Sequence, residues 1–324
     1  MTASRVINHN PHVGEAMRER VLASVKALDY RPNLAGRQLR TSGIARIGVL
    51  YSNPSAAYLN QLVMGVLEES SLHNSRVIVE KCGGMSSQRN AMKRLLDAGV
   101  DGVIVPPPLC DSTRAIDSLN DRNVSVVTIA SGAPAEDAAS IRIDDYKGAC
   151  SMARYLLELG HRRIGLIVGN PRHTPTALRS QAFLDTLRAA DIEVPEAYVA
   201  QGMFTYRSGL VAAQQLLQLP DRPTAIFSSN DDMAAAAVAV AHGMRLRVPE
   251  DITITGFDDT PVATTIWPTL TTIHQPVTAM GRAAVRLILE QIRRRKEGLP
   301  RINSHELMKY RLVKRQSSAP PAGR

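Results

Sequence analysis

The sequence predicts an α/β protein: a body of two doubly wound subdomains, preceded by a short all-α segment. Three observations carry this. From Ile44 onward, short apolar runs of strand length alternate with longer amphipathic runs, the pattern of parallel sheets covered by helices on both faces. The series restarts near Gly160, where ELGHRRIGLIVGN opens a second set of strands. Residues 1–43 contain no such run and instead gather basic charge, seven Lys/Arg against three Asp/Glu. A chain of 324 residues with 44% hydrophobic content supplies cores for two or three compact units.

In chain order, Val13, Met17, Val21, Val25 and Leu28 recur at helical spacing, with Arg18, Arg20 and Lys26 on other faces. The segment YRPNLAGRQL follows. Pro32 suits the first turn of a helix, but Gly36 costs about 1 kcal/mol relative to alanine inside one. So short a helix folds only when something holds it. The first strand series reads IARIGVLYS, SRVIVEKCGG, DGVIVPPP and VSVVTIASG, and the second RRIGLIVGN, PTAIFSSND and ITITGFDD. After LTTIHQP the chain is expected to cross back, with a long helix from Val277 to Arg295 repacking on the first half. The last nine residues, QSSAPPAGR, read as too small and polar to pack.

Charge is uneven along the chain. The overall +9 comes from the ends: residues 290–324 carry ten Lys/Arg against three Asp/Glu, which leaves the middle slightly acidic. A basic N-terminal module on a near-neutral body fits attraction to DNA phosphates. The basic turn Arg293–Lys296 reads as a solvated helix end favoured by the helix dipole. No apolar run reaches membrane-spanning length and the start lacks a signal-peptide core, so a cytoplasmic protein is expected. Cys82, Cys110 and Cys150 form neither a disulfide framework nor a zinc pattern, and no metal and no cofactor is expected. The pairs Asp231/Asp232 and Asp258/Asp259 resemble hydrolase carboxylates, but neighbours at one strand end point in different directions. No G-x-S-x-G, H-E-x-x-H or P-loop occurs, so an enzyme is not expected.

Pro32-Asn33, Ala35 and Leu39 in YRPNLAGRQL, followed in order by FSSNDDMAAAAVAVAHGMRLRVPEDITITGFDD and PTLTTIHQPVTAMG, resemble the LacI/GalR family of bacterial transcription regulators. The resemblance implies a type I periplasmic-binding-protein-like body over residues 44–315, behind a partial helix-turn-helix headpiece (1–30) and a hinge helix with linker (31–43). It divides the body into a first subdomain, about 44–160 and 276–300, and a second, about 161–275 and 301–315, with a disordered tail at 316–324. The opening TASRVIN resembles the second half of a recognition helix. The family starts about twenty residues earlier, so a start codon assigned too late or a truncated regulator is expected.

The resemblance also implies two sets of site residues. Thr2, Ser4, Arg5 and Asn8 would reach bases or phosphates, and Asn33, Ala35, Leu39 and Arg40 would contact DNA from the hinge, with Leu39 wedged into the minor groove. Tyr58, Arg179, Phe204, Asn230, Asp258 and Gln275 would line an effector cleft. Their chemistry suits a sugar: carboxylate and guanidinium bind hydroxyls in pairs, amides give and accept, and aromatic faces cover C–H surface. If they hold a hydroxylated ligand, Arg179 and Asp258 should stand solvated in an empty open cleft; the alternative is a buried pair joining the subdomains. Ala130 and Ser131 occupy a position where many relatives carry a carboxylate, and Asp144/Asp145 read better as a helix cap than as a ligand pair. The expected function is a ligand-responsive transcription regulator, a repressor of carbohydrate-use genes acting as a homodimer on operator DNA with a sugar effector. A nucleoside or purine effector, or a DNA-independent cytoplasmic sugar-binding or sensor protein, are the alternatives.

Overall fold

The computed structural model describes residues 44–322 except Asn53 and Gly84, together with residues 14, 15, 17, 19–21 and 24. The chain forms two units, residues 1–44 and 45–324. In the first, the described residues 15, 17, 19–21 and 24 are helical, in step with the apolar period that includes Met17 and Val21. Thr2, Ser4, Arg5, Asn8, Asn33, Ala35, Leu39 and Arg40 lie outside the described residues.

The second unit contains two six-stranded sheets. Its first half runs β1 (Arg46–Tyr51), α1 (Ala56–Leu72), β2 (Arg76–Lys81), α2 (Met85–Asp97), β3 (Gly102–Val105), α3 (Thr113–Asn120), β4 (Ser125–Ile129), β5 (Ala139–Ile143) and α4 (Asp145–Glu158). The second half runs β6 (Ile164–Val168), α5 (Thr174–Arg188), β7 (Val199–Gln201), α6 (Tyr206–Leu217), β8 (Ala225–Ser228), α7 (Asp231–Gly243), β9 (Thr253–Asp258), α8 (Val262–Thr265) and β10 (Thr271–His274). Then come α9 (Val277–Lys296), β11 (His305–Met308) and β12 (Arg311–Val313). The sheet orders are β11-β5-β4-β3-β1-β2 and β12-β10-β9-β8-β6-β7. Every pairing is parallel except β10 with β12. Central strands such as GVIV and SVVTI are buried along their whole length, as unbroken apolar runs between two helical layers must be.

The chain crosses between the lobes three times, after β5, after β10 and between β11 and β12. The long helix α9 packs on α1 and the first sheet, as its sequence implies. Gly65 and Gly281 let the two helices touch, because a Cβ on either would lie 2.0 Å from the carbonyl oxygen of Thr278 or 2.4 Å from that of Leu62.

Three boundaries differ from the sequence reading. Helix α4 packs on α5, so the first crossing precedes it instead of falling at Gly160. Residues 301–315 do not all join the second subdomain: β11 pairs in parallel with β5, and only β12 joins the second sheet. Four-residue strands carry too little periodicity to declare their sheet, and the open edge of β5 decides it. The tail through Ala322 is ordered and not loose. The first residues of β9 extend past their β10 partner, and the tail fills that place: Ile254 N donates to Ser317 O (2.9 Å), and Ser317 Oγ donates to Ile254 O (2.6 Å). Small side chains are what such a backbone-to-backbone fit requires.

Candidate ligand-binding site

The residues that follow β6, β8, β9 and β10 converge at the junction of the lobes, where open α/β sheets bind ligands. Asp258 ends β9 with φ 113° and is followed by Asp259 at 58°, a pair of left-handed residues that turns the Asp258 carboxylate inward. Gln275, just past β10, donates from Nε2 to Asp258 Oδ1 at 2.6 Å. Arg179 on α5 donates from Nε to Asp145 Oδ1 (2.7 Å) and from Nη1 to Ser229 O (2.7 Å). Its Nη1 lies 3.5 Å from Asp258 Oδ1, and its guanidinium carbon lies 3.7 Å from the Phe257 ring centroid.

Arg179 and Asp258 are therefore 5% and 4% exposed, the buried alternative and not the solvated one. The apolar walls of Phe257 and the strand ends exclude water, and Asp145 supplies the counter-charge that makes burial tolerable.

Phe204 (φ 60°) lays its ring over Gly169, where a Cβ would meet the ring 2.1 Å away. Asn230 lines the cavity, but its amide is already engaged: Oδ1 accepts from Met233 N (3.0 Å) to cap α7, and Nδ2 donates to Phe204 O (3.2 Å). Tyr58 enters from α1 of the first lobe. These side chains, with His173 and Ala130, enclose a cavity of about 30 Å³. Gln275 stands one step behind it, bonded to Asp258.

Polar links close the junction. Ser55 Oγ donates to Asp232 Oδ2 at 2.7 Å, and Thr174 Oγ1 accepts from Gly132 N (2.7 Å) while donating to Asp111 Oδ2 (2.8 Å). Ser131, at the position where the family resemblance implies a carboxylate, donates to Asp111 Oδ1 at 2.6 Å.

Sequence reasoning missed His173 and set Asp145 aside as part of a helix cap. His173 follows β6, so the rule that ligands bind beyond strand ends already pointed to it. Asp144 does cap α4, accepting from Lys147 N at 2.9 Å, but its neighbour Asp145 turns inward to Arg179. The hydrolase-like pairs diverge, as adjacent residues should. Asp231 is held by Thr260 and Thr272, Asp232 by Ser55, and Asp259 by Arg315 and His274.

The electrostatics follow from burial. Burial pushes the Asp258 carboxyl up to about 7, against the opposing pull of Arg179. Asp145 is raised for the same reason. Burial, then the Arg179 charge, brings His173 down to about 4, so its imidazole is neutral near pH 7. Tyr58 Oη, His173 Nε2 and Gln275 Oε1 are buried without a hydrogen-bond partner among the described residues. Native structures rarely leave such atoms unmatched, so three of them around this junction make it the candidate site for a polar ligand. No described group of His, Cys, Asp and Glu is placed to hold a metal, and no described helix is long and apolar enough to cross a membrane.

Comparison with known proteins gives two family matches: "Bacterial regulatory proteins, lacI family" over residues 1–33 and "Periplasmic binding protein-like domain" over residues 153–318. The chain is 34% identical to the HTH-type transcriptional repressor PurR of Klebsiella pneumoniae subsp. pneumoniae, over 98% of this chain and 93% of that protein. Among solved structures it is similar to the transcriptional regulator CelR–cellobiose complex (28% identity, TM-score 0.76), over 97% of this chain and 94% of the other. It is also similar to the Lac repressor dimer bound to operator and the anti-inducer ONPF (27% identity, TM-score 0.75), over 98% and 94%.

Proposed function

The chain belongs to the lacI family of bacterial regulatory proteins, and we propose that it is a cytoplasmic, homodimeric repressor of carbohydrate-use genes whose effector is a sugar. The observation that carries the ligand class is the set of unmatched polar atoms on Tyr58, His173 and Gln275 around the Arg179–Asp258 pair. Two carboxylates face one guanidinium, and the imidazole beside them is neutral. An anionic ligand would find no free cation there, whereas hydroxyls can donate to Asp258 and Gln275 and accept from Tyr58. Phe204 and Tyr58 supply faces for the C–H surface of a sugar ring. The cellobiose complex of a relative supports the same class.

At about 30 Å³ the cavity is far below the roughly 300 Å³ of a small-molecule pocket, so a ligand enters only when the lobes or the lining side chains move. That is how binding is transmitted: a ligand that requires a different lobe arrangement from the one DNA favours must shift the affinity for DNA. Two such chains pair through their hinge segments on a pseudo-palindromic operator.

The test is a thermal-shift screen of mono- and disaccharides, nucleosides and purine bases on wild type and Asp258→Ala. A sugar at a hundredfold over its dissociation constant adds about 2.7 kcal/mol of stability, a shift that Asp258→Ala abolishes. Should only nucleosides or purine bases act, the effector class is wrong although the regulator stands. A full response in the variant would place the site elsewhere.

A further inference from the structure

On the first lobe, between α2 and α3, a cavity of about 410 Å³ shares no residue with the lobe-junction site. Arg89 and Lys93 stand one turn apart on α2, and Arg114 and Arg122 face them from α3 and the residues just past it. No Asp or Glu lines this space. Its floor is apolar, formed by Met92 and Leu96, which are 8% and 9% exposed.

Several other surface arginines have a carboxylate partner. Arg94, next to Lys93, pairs with Glu80 at 2.7 Å, and Arg293 pairs with Glu290 at 2.7 Å and Glu297 at 3.0 Å. Arg247 pairs with Asp251 at 2.9 Å. None of the four cavity cations has an ion-pair partner among the described residues. Like charges one helical turn apart repel, and four around one cavity raise its positive potential unless an anion occupies it. The volume lies in the range of roughly 300–1,000 Å³ typical of small-molecule pockets. A bare inorganic ion would leave Met92 and Leu96 uncovered, and a neutral ligand would leave the cations uncompensated.

We propose that this cavity binds a small organic anion, its carboxylate or phosphate among Arg89, Lys93, Arg114 and Arg122 and its apolar body on Met92 and Leu96. The anion is a second ligand, separate from the effector of the lobe junction. Because the cations have exposed side chains and no internal partners among the described residues, neutralising them leaves the fold intact.

Equilibrium dialysis of the full chain against 1-naphthyl phosphate and 1-naphthoate tests this, with 1-naphthol as the neutral control and inorganic phosphate as the bare anion. At least one of the two organic anions should bind at one per chain, and both controls at least tenfold more weakly. The double variant Lys93→Gln/Arg114→Gln should lose tenfold or more of that affinity with an unchanged melting temperature, while Arg207→Gln, on an exposed turn of α6, should bind like wild type. Failure of both organic anions to saturate would overturn the proposal. So would inorganic phosphate binding as tightly as they do, or wild-type affinity in the double variant. A double variant that weakens only the binding of duplex DNA would assign the patch to phosphate-backbone contact and overturn it as well.

Discussion

At the residue scale, Asp258 and His173 pull stability in opposite directions as pH changes. Asp258 has its folded pKa raised to about 7, so its contribution is complete below about pH 4 and is lost as pH rises through 7. His173 has its folded pKa lowered to about 4, so its contribution is complete above about 6.5 and is lost as pH falls through 4. Substituting Asp258→Asn keeps an acceptor for Gln275 and removes the first of these. Its melting temperature should equal that of wild type near pH 4 and exceed it at pH 8, and a difference that does not vary with pH would show that the carboxyl does not titrate in this window. Arg179→Met acts the other way, stranding Asp145 and Asp258 without their cation. Urea unfolding at pH 8 should show a loss of about 3–5 kcal/mol, recovered in part at pH 5 as the carboxyls take up protons. An unchanged midpoint would restore the solvated alternative.

At the element scale, the contact between α1 and α9 depends on two glycines rather than on side-chain volume. A Cβ at Gly281 would lie 2.4 Å from Leu62 O and 3.0 Å from Val66 N, and backbone atoms cannot rotate away. Gly281→Ala should therefore destabilise by about 1–3 kcal/mol through forced separation of the helices. Gly243, at the end of α7, is the control, because a Cβ there would meet nothing within 4 Å. Alanine at that position should stabilise by about 0.5–1 kcal/mol. Chemical denaturation of both variants decides the matter, since equal effects would mean helix propensity alone is at work. The basic end of α9 is tied down more than a solvated face would be. Arg294 Nε donates to Pro300 O at 2.8 Å, and Arg295 hydrogen-bonds the carbonyl of Asn123. The sequence supplied the dipole argument for these arginines, but not their partners, one in the following loop and one just before β4.

At the scale of the whole molecule, the proposed function links operator and effector through the lobe arrangement, and such a linkage must be reciprocal. The effector's factor of change in operator affinity should equal the operator's factor of change in effector affinity. Calorimetry on the free and DNA-bound protein measures both, and unequal factors would mean the two ligands do not act on one equilibrium. The hinge carries a separate expectation. Leu39→Ala should weaken specific operator binding far more than non-specific binding, because a wedge acts only where a deformable step admits it. Equal losses on both DNAs would give Leu39 a packing role. Affinity for either DNA should fall steeply as salt rises from about 50 to 200 mM, since phosphate contacts release counterions.

The sequence by itself determined the parallel α/β body, the long helix that returns to the first half, and Tyr58, Arg179, Phe204, Asn230, Asp258 and Gln275 as candidates at one cleft. The body and the returning helix rest on periodicity, a local property of the chain, whereas the six cleft candidates rest on the family resemblance of the motifs that carry them. What only the tertiary structure decided was the set of partners. Asp145 joins Arg179 across 34 positions, β11 and β12 separate into different sheets, and Ser317 completes the edge of β9. None of these has a local signature. Each is fixed by a buried charge or an open backbone edge that must find whatever complementary group the fold brings within reach.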